Sequence, residues 1–154
     1  SKMIQVSLFS NNSFISLEAE LRSICHLYFP HIPELLIYQI KWSEKKQKRT
    51  LASCNIYKKI INVSNCLNYP EYFHLLPPLI YHEICHAVVG VKVGNRGRRI
   101  IHGADFKKLE RAHPDMHLLE EFIKTGGWAK AVRSHRAKQR WKKIKSTLKI
   151  LGIR

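Results

Sequence analysis

The chain has 154 residues, of which 45% are hydrophobic and 25% charged, a composition typical of one globular domain and not of a disordered chain. No apolar run approaches the roughly 18 residues of a membrane-spanning helix. The first residues also lack the order of a secretion signal. We therefore expect a cytoplasmic protein. Its net charge of +16 indicates polyanionic partners.

The first half of the chain predicts one helix followed by strands. Residues 13–29 place apolar side chains at helical steps, with Ser13 as the expected N-cap. The face consists of Phe14, Leu17, Leu21, Ile24 and Tyr28. Residues 34–42 alternate, which predicts a half-buried strand. Its buried side is Leu36, Tyr38, Ile40 and Trp42. Residues 51–64 are rich in β-branched and aromatic side chains and predict one or two further strands.

The second half predicts helices joined by a glycine-rich basic loop. Pro77 and Pro78 suit the first turn of a helix that should end near Gly90 or Gly94. The loop of residues 91–101 follows. Further helices are expected over residues 103–112, 116–124 and from Trp128 onward, separated by Pro114 and then by Gly126 and Gly127. Helices around a small sheet make this an α+β fold.

The helix after Pro78 carries the sequence H-E-I-C-H. His82 and His86 are four residues apart, so both imidazoles face the same side of the helix and can approach one metal ion. Glu83 is rotated by about 100° from His82, off the ligand line but beside the position of a polarised water. The alternative is a buried helix with two hydrogen-bonded histidines, because the chain has 9 histidines and such a pattern can arise by chance.

A catalytic zinc site needs a third protein ligand. His102 lies beyond the loop and is the preferred candidate, with Glu110 and His113 in competition. The four cysteines, Cys25, Cys54, Cys66 and Cys85, form no C-x-x-C pair, so we interpret them as free core thiols of a reducing compartment. A nucleophilic role for Cys85 is disfavoured.

The segments "LIYHEICHA" and "HGADF", with Phe106 at the aromatic position, resemble the SprT-like metalloproteases over roughly residues 9–112. The resemblance implies a zincin-like fold with His82, His86 and His102 as Zn²⁺ ligands and Glu83 as the catalytic acid/base. It also implies peptide-bond hydrolysis, in part of the family directed at proteins crosslinked to DNA. The resemblance identifies no oxyanion stabiliser; Tyr81 and the loop arginines are candidates. Unlike relatives with a cysteine zinc ribbon, the sequence has no cysteine beyond Cys85.

Residues 128–154 form a basic segment, which we separate from a metalloprotease domain of residues 1–127. This segment has 10 Lys and Arg and no acid, whereas residues 1–127 have a net charge of +6. Five positions form an apolar stripe at steps of three and four: Ala137, Trp141, Ile144, Leu148 and Leu151. A row of lysines, Lys138, Lys142, Lys145 and Lys149, runs beside it.

The stripe suits a helix docked on the core, and the charge suits nucleic acid or an anionic membrane, with nucleic acid preferred. The expected nucleic-acid contacts are Arg96, Arg98, Arg99, Arg133, Arg136, Lys138, Arg140, Lys142, Lys143 and Lys145. Two rival functions remain open: a nucleic-acid-binding protein with a structural or latent zinc site, and a metal-dependent nuclease.

Overall fold

The computed structural model describes residues 15–43, 50–90, 92–93, 99–100 and 102–153. Its α-helices are α1 (Leu17–Tyr28), α2 (Leu76–Val89), α3 (Ala104–Glu110), α4 (Met116–Lys124) and α5 (Gly127–Ile150). Its strands are β1 (Gln39–Ser43), β2 (Ala52–Asn55), β3 (Ile60–Ser64), β4 (Lys92–Val93) and β5 (Arg99–Ile100). Helices surround a small sheet, which confirms the α+β prediction.

Helix α1 begins later than predicted. Its N-cap is Ser16, whose hydroxyl accepts a hydrogen bond from the backbone N–H of Ala19 at 3.2 Å. The predicted N-cap Ser13 and the first predicted face residue, Phe14, lie outside the described residues. Leu17, Leu21 and Ile24 are buried, as the helical spacing indicates.

The main sheet has the strand order β1-β3-β2, with β1 parallel and β2 antiparallel to β3. Ile61 and Val63 in the central strand are fully buried, because both point to the face of the sheet that packs in the hydrophobic core. The turn between β2 and β3 is held by Asn55, whose side-chain oxygen accepts from the backbone N–H groups of Tyr57 and Lys58. The strand prediction for residues 51–64 is confirmed as a hairpin.

The strand predicted over residues 34–42 is wrong in its first half. Residues Pro33–Ile37 form a 3-10 helix, and the strand begins only at Gln39. Pro33 favours a helical first turn because its ring fixes φ. Consequently Leu35 is buried and Leu36 is 41% exposed, the reverse of what the alternating pattern predicts for those two leucines.

Helix α2 lies at the centre of the fold. Its first turn contains the buried Pro77 and Pro78, and it ends at Gly90, whose φ of 71° is a conformation that favours glycine. The helix contacts β2, α1, α3 and α4. Beyond it, β4 and β5 form a short antiparallel pair within the predicted loop. Arg96 and Arg98 lie outside the described residues.

A two-glycine corner joins α4 to α5. Gly126 has φ of 81°, and a Cβ added at Gly127 would collide with the Phe122 ring and lie 2.7 Å from the Phe122 carbonyl oxygen. A side chain at Gly126 would be strained by the positive φ, and one at Gly127 would require Phe122 or the backbone to move. The corner fixes the direction in which α5 leaves the domain.

Helix α5 docks on the domain only through its first third. Ala131 is buried, and Trp128 packs against the core. His135 Nδ1 lies 2.6 Å from the Tyr69 hydroxyl, and Lys138 lies 3.5 Å from a Glu71 carboxylate oxygen. From Arg136 to Thr147 every side chain is exposed. The predicted docking of the C-terminal helix on the core is therefore confirmed for the start of the helix. It is wrong for the apolar stripe, of which Trp141, Ile144 and Leu151 are exposed. Contact of the basic side chains with nucleic acid stays a prediction.

None of the helices in the described ranges combines the length and apolarity needed to span a bilayer.

The exposure of α5 predicts that its outer part contributes little to stability. A chain ending after Lys138 loses only side chains that touch little of the domain, so its Tm in a thermal melt should stay within about 2 °C of the full chain. A chain ending after Gly126 also loses Trp128 and Ala131 and should melt well below it. Equal destabilisation by both truncations would contradict the exposed position of the outer helix.

Candidate metal centre

Three imidazoles meet at the exposed end of α2. His82 and His86 come from successive turns of the helix, and their ring centroids are 5.0 Å apart. His102, just before α3, has its ring centroid 5.4 Å from that of His82 and 4.9 Å from that of His86. One ligand atom from each residue lies within 4.8 Å of the others. The three histidines expected from the sequence are therefore close enough to bind one metal ion.

Glu110 contacts the ring nitrogen of His82 that points away from the other two histidines. Its carboxylate oxygen lies 2.5 Å from His82 Nδ1, which leaves the Nε2 atom of His82 as the available ligand atom. A carboxylate at the second ring nitrogen fixes the tautomer and orientation of a metal-binding histidine. This contact favours a supporting role for Glu110 over the competing interpretation of Glu110 as the third ligand.

His113, the other competitor, is buried away from the cluster. Its ring packs against Tyr28 and Tyr81, and its Nδ1 accepts the backbone N–H of Asp115 at 3.1 Å. These contacts place His113 in the core.

Two consecutive contacts fix α3 against α2. The Tyr81 hydroxyl donates to the Leu109 carbonyl at 2.6 Å, and the next residue, His82, contacts the next residue of α3, Glu110. The Tyr81 ring is buried against Tyr28 and Phe29. Because its hydroxyl is already engaged with backbone in the core, Tyr81 is not suited to the oxyanion-stabilising role considered from the sequence.

Phe106 forms the floor of the cluster. It is 1% exposed, and its ring centroid lies 5.1, 4.5 and 4.8 Å from those of His82, His86 and His102. An aromatic floor restricts the rotamers of the imidazoles and excludes water from one side. Phe106 and Glu110 are four residues apart, so one face of α3 carries both supports.

Burial sets the protonation of the helix histidines. It lowers the pKa of His86 to about 4, with His82 and His102 adding to the effect. The pKa of His82 is also lowered by burial, although Glu110 acts in the opposite direction. Both imidazoles are therefore neutral near pH 7, and a neutral imidazole has the lone pair that a metal needs.

Glu83 is buried, with only 4% of its surface exposed, and burial raises the pKa of its carboxyl to about 8. The pKa of Cys54 in β2 is raised to about 12, mainly by burial and further by the charge of Glu83. A carboxyl with a raised pKa, adjacent in sequence to a candidate metal ligand, is a candidate for proton transfer.

The cysteines carry no comparable chemistry. All four thiols are free, as expected. Cys85, between the two helix histidines, is fully buried, and its pKa is raised to about 12 mainly by burial. It stays protonated at neutral pH, which argues against the nucleophilic role.

Residues 18–124 match the model of the SprT-like family. The match covers more than half of the chain, so the chain belongs to the SprT-like family. It begins in α1, includes the histidine cluster and its supports, and stops before α5, which leaves the basic helix outside the family model. No curated protein and no solved structure matches the chain.

The contact between His82 and Glu110 predicts a supporting effect on metal affinity. Glu110→Ala removes the partner of His82 Nδ1 but no proposed ligand, so it should weaken divalent-metal binding about 10–100-fold. Glu120→Ala, an exposed glutamate of α4, is the matched control and should bind as the unaltered chain does. Isothermal titration with the metal measures both. If Glu110→Ala bound with unchanged affinity, the supporting role would be wrong.

Proposed function

We propose that the chain is a zinc-dependent endopeptidase. The observation that carries the proposal is the cluster of three histidine side chains, two of which lie on the helix that also carries the buried carboxyl of Glu83. Membership of the SprT-like family supports the same reaction class. Three protein ligands with a fourth position left open are typical of catalytic zinc sites.

The donor set fits zinc in chemistry and in spacing. Imidazole nitrogens bind Zn²⁺ at about 2.0–2.1 Å, so two of them in a tetrahedral site lie roughly 3.3 Å apart. The Nε2 atoms of His86 and His102 are 3.3 Å apart. No carboxylate stands in the ligand trio, and hard-ion sites for Ca²⁺ or Mg²⁺ are built from oxygen atoms. His82, His86 and His102 would hold the ion.

Bound there, zinc would supply a Lewis acid that polarises the peptide carbonyl and makes a water molecule more acidic. Glu83 would take the proton of the attacking water, hold it on its carboxyl oxygen, and pass it to the leaving amine nitrogen. A carboxyl whose pKa is raised by burial holds that proton readily, and a nearby cation favours its ionised form before the reaction. Phe106 and Glu110 would keep the imidazoles in place throughout.

The two rival functions use the same histidines but predict different results in hydrolysis assays. A structural or latent zinc site would hydrolyse nothing, whereas a nuclease would cleave nucleic acid in a chelator-sensitive way. Assays of the purified chain on an unfolded protein and on DNA and RNA, each with and without chelator, separate the three. Chelator-sensitive proteolysis without cleavage of either nucleic acid is the expected result.

One zinc ion per chain is the first prediction of this proposal. His102→Ala removes one of three ligands and should lose most of the metal in elemental analysis. His117→Ala, an exposed histidine of α4 outside the cluster, should keep it. Retention of zinc by His102→Ala would show that another side chain completes the site.

Glu83→Gln should keep zinc and lose hydrolysis by about 10²–10⁴-fold, because an amide cannot accept the proton of water. The fold should tolerate the change, since a buried carboxyl with a pKa of about 8 is already neutral at pH 7 in the metal-free protein. Peptidase rate, metal content and thermal melting are measured on the same sample. A variant with zinc bound and full activity would refute the role of Glu83.

A further inference from the structure

The apolar stripe of α5 faces away from the domain. Helical residues advance by about 100° each, so Ile144 lies about 140° around the helix from the buried Ala131, and Leu148 lies at the same angle from His135. Ala131 and His135 are on the docked side of the helix. The stripe therefore is no continuation of the docked face, and it cannot fold back on the core without rotation of the whole helix.

Large apolar side chains are concentrated on the outer part of this helix. Trp141 is 54% exposed and Ile144 49% exposed. Leu151, just after the last turn, continues the stripe and is 65% exposed, whereas Ile150 points about 160° away from Leu148. This segment of the helix has no packing partner for these apolar side chains among the described residues. Such an exposed apolar patch indicates that a binding partner covers it.

Basic side chains flank the stripe on both sides. At about 100° per residue, Lys145 lies at one edge, next to Trp141, and Arg136, Arg140 and Lys143 fall along the other edge. Lys138, Lys142 and Lys149 lie within about 20° of the docked line of Ala131, and Lys138 contacts Glu71. All seven are exposed. Lysine and arginine at the two edges of an apolar stripe can extend to charged groups above it while their aliphatic stems lie along it.

Two other occupants fit this pattern less well. A second copy of the helix, paired along the stripe, would bring Arg140 opposite Lys145, which is like-charge repulsion at the flanking positions. A nucleic-acid duplex would satisfy the basic side chains through its phosphates but would leave Trp141 and the aliphatic side chains in water. An anionic lipid surface offers phosphates and an apolar interior at once.

We propose that the outer part of α5, residues 136–153, docks on an anionic lipid membrane, with the apolar stripe entering the boundary between headgroups and acyl chains. The basic edges contact the lipid phosphates, and the domain stays on the aqueous side because its docked face is opposite. The proposal adds a membrane-surface site to the chain and does not depend on its hydrolytic activity.

Vesicle flotation of the full chain tests the proposal. The probes are vesicles of phosphatidylcholine alone and of phosphatidylcholine mixed with phosphatidylserine. Binding should require phosphatidylserine, since each Lys or Arg near an anionic surface strengthens binding about fivefold, and it should fall with salt. The double variant Ile144→Ser/Leu148→Ser should bind at least about tenfold more weakly, because two aliphatic side chains are lost from the lipid boundary.

The matched control is Leu27→Ser/Ile37→Ser, which removes two aliphatic side chains that are 61% and 57% exposed elsewhere on the domain. It should bind vesicles as the unaltered chain does. A second measurement does not depend on the stability of the variants: acyl chains carrying bromine should quench the fluorescence of Trp141, and Trp141→Phe should lose that quenching.

Three results would overturn the proposal. Unchanged vesicle binding by the stripe variant would show that the charge of the helix, without its apolar stripe, accounts for the binding. Absence of quenching at Trp141 would keep the stripe out of the bilayer. Failure to bind the anionic vesicles, together with equal binding of a DNA duplex by the unaltered chain and the stripe variant, would assign the helix to nucleic acid.

Discussion

The fixed alignment of α3 on α2 is the constraint on which the candidate site depends. Tyr81 and His82, consecutive in α2, contact Leu109 and Glu110, consecutive in α3. Sliding α3 by one residue would break both contacts at once. The same alignment places Phe106 under the imidazoles and brings His102, which precedes α3, beside His86. A hydrogen bond in the core and a supporting carboxylate at the surface thus position all three histidines together.

Burial has opposite consequences for the two kinds of group in the site. It favours neutral imidazoles, which are ready to bind a cation, and it favours a protonated Glu83, which is not ready to accept a proton. A cation bound by the three histidines would resolve this conflict, because its charge favours the carboxylate. In the proposed enzyme, metal binding and ionisation of Glu83 would therefore be coupled through the charge of the ion.

The parts of the site predicted from the sequence are those that depend on local geometry. The spacing of His82 and His86 needs only a helix, and prolines and glycines mark where that helix begins and ends. His102 is preferred over Glu110 and His113 because it lies beyond a loop long enough to return to the helix, and the family resemblance implies the same ligand. The contact of Glu110 with the far nitrogen of His82 depends on how two helices pack, which no local pattern encodes.

Errors elsewhere have the same origin. The alternation across residues 34–42 was compatible with a strand, yet Pro33 initiates a 3-10 helix and reverses the burial of Leu35 and Leu36. In α5 the apolar stripe was equally consistent with docking on the core and with exposure. The outcome was decided by the direction of the helix after Gly127, which depends on backbone angles and not on the pattern of the stripe itself.

The two-glycine corner before α5 separates the chain into parts that can change independently. Substitutions along the outer helix alter what the helix touches and leave the histidine cluster intact, because the helix lies beyond the corner. A side chain at Gly127, in contrast, would collide with Phe122, so the Phe122 ring or the backbone of the corner would have to move. The outer helix sequence can therefore change without a steric conflict with the domain, whereas the glycine pair is constrained by its backbone angles and by Phe122. For an engineer, the corner is a fixed joint to which a different helix could be attached.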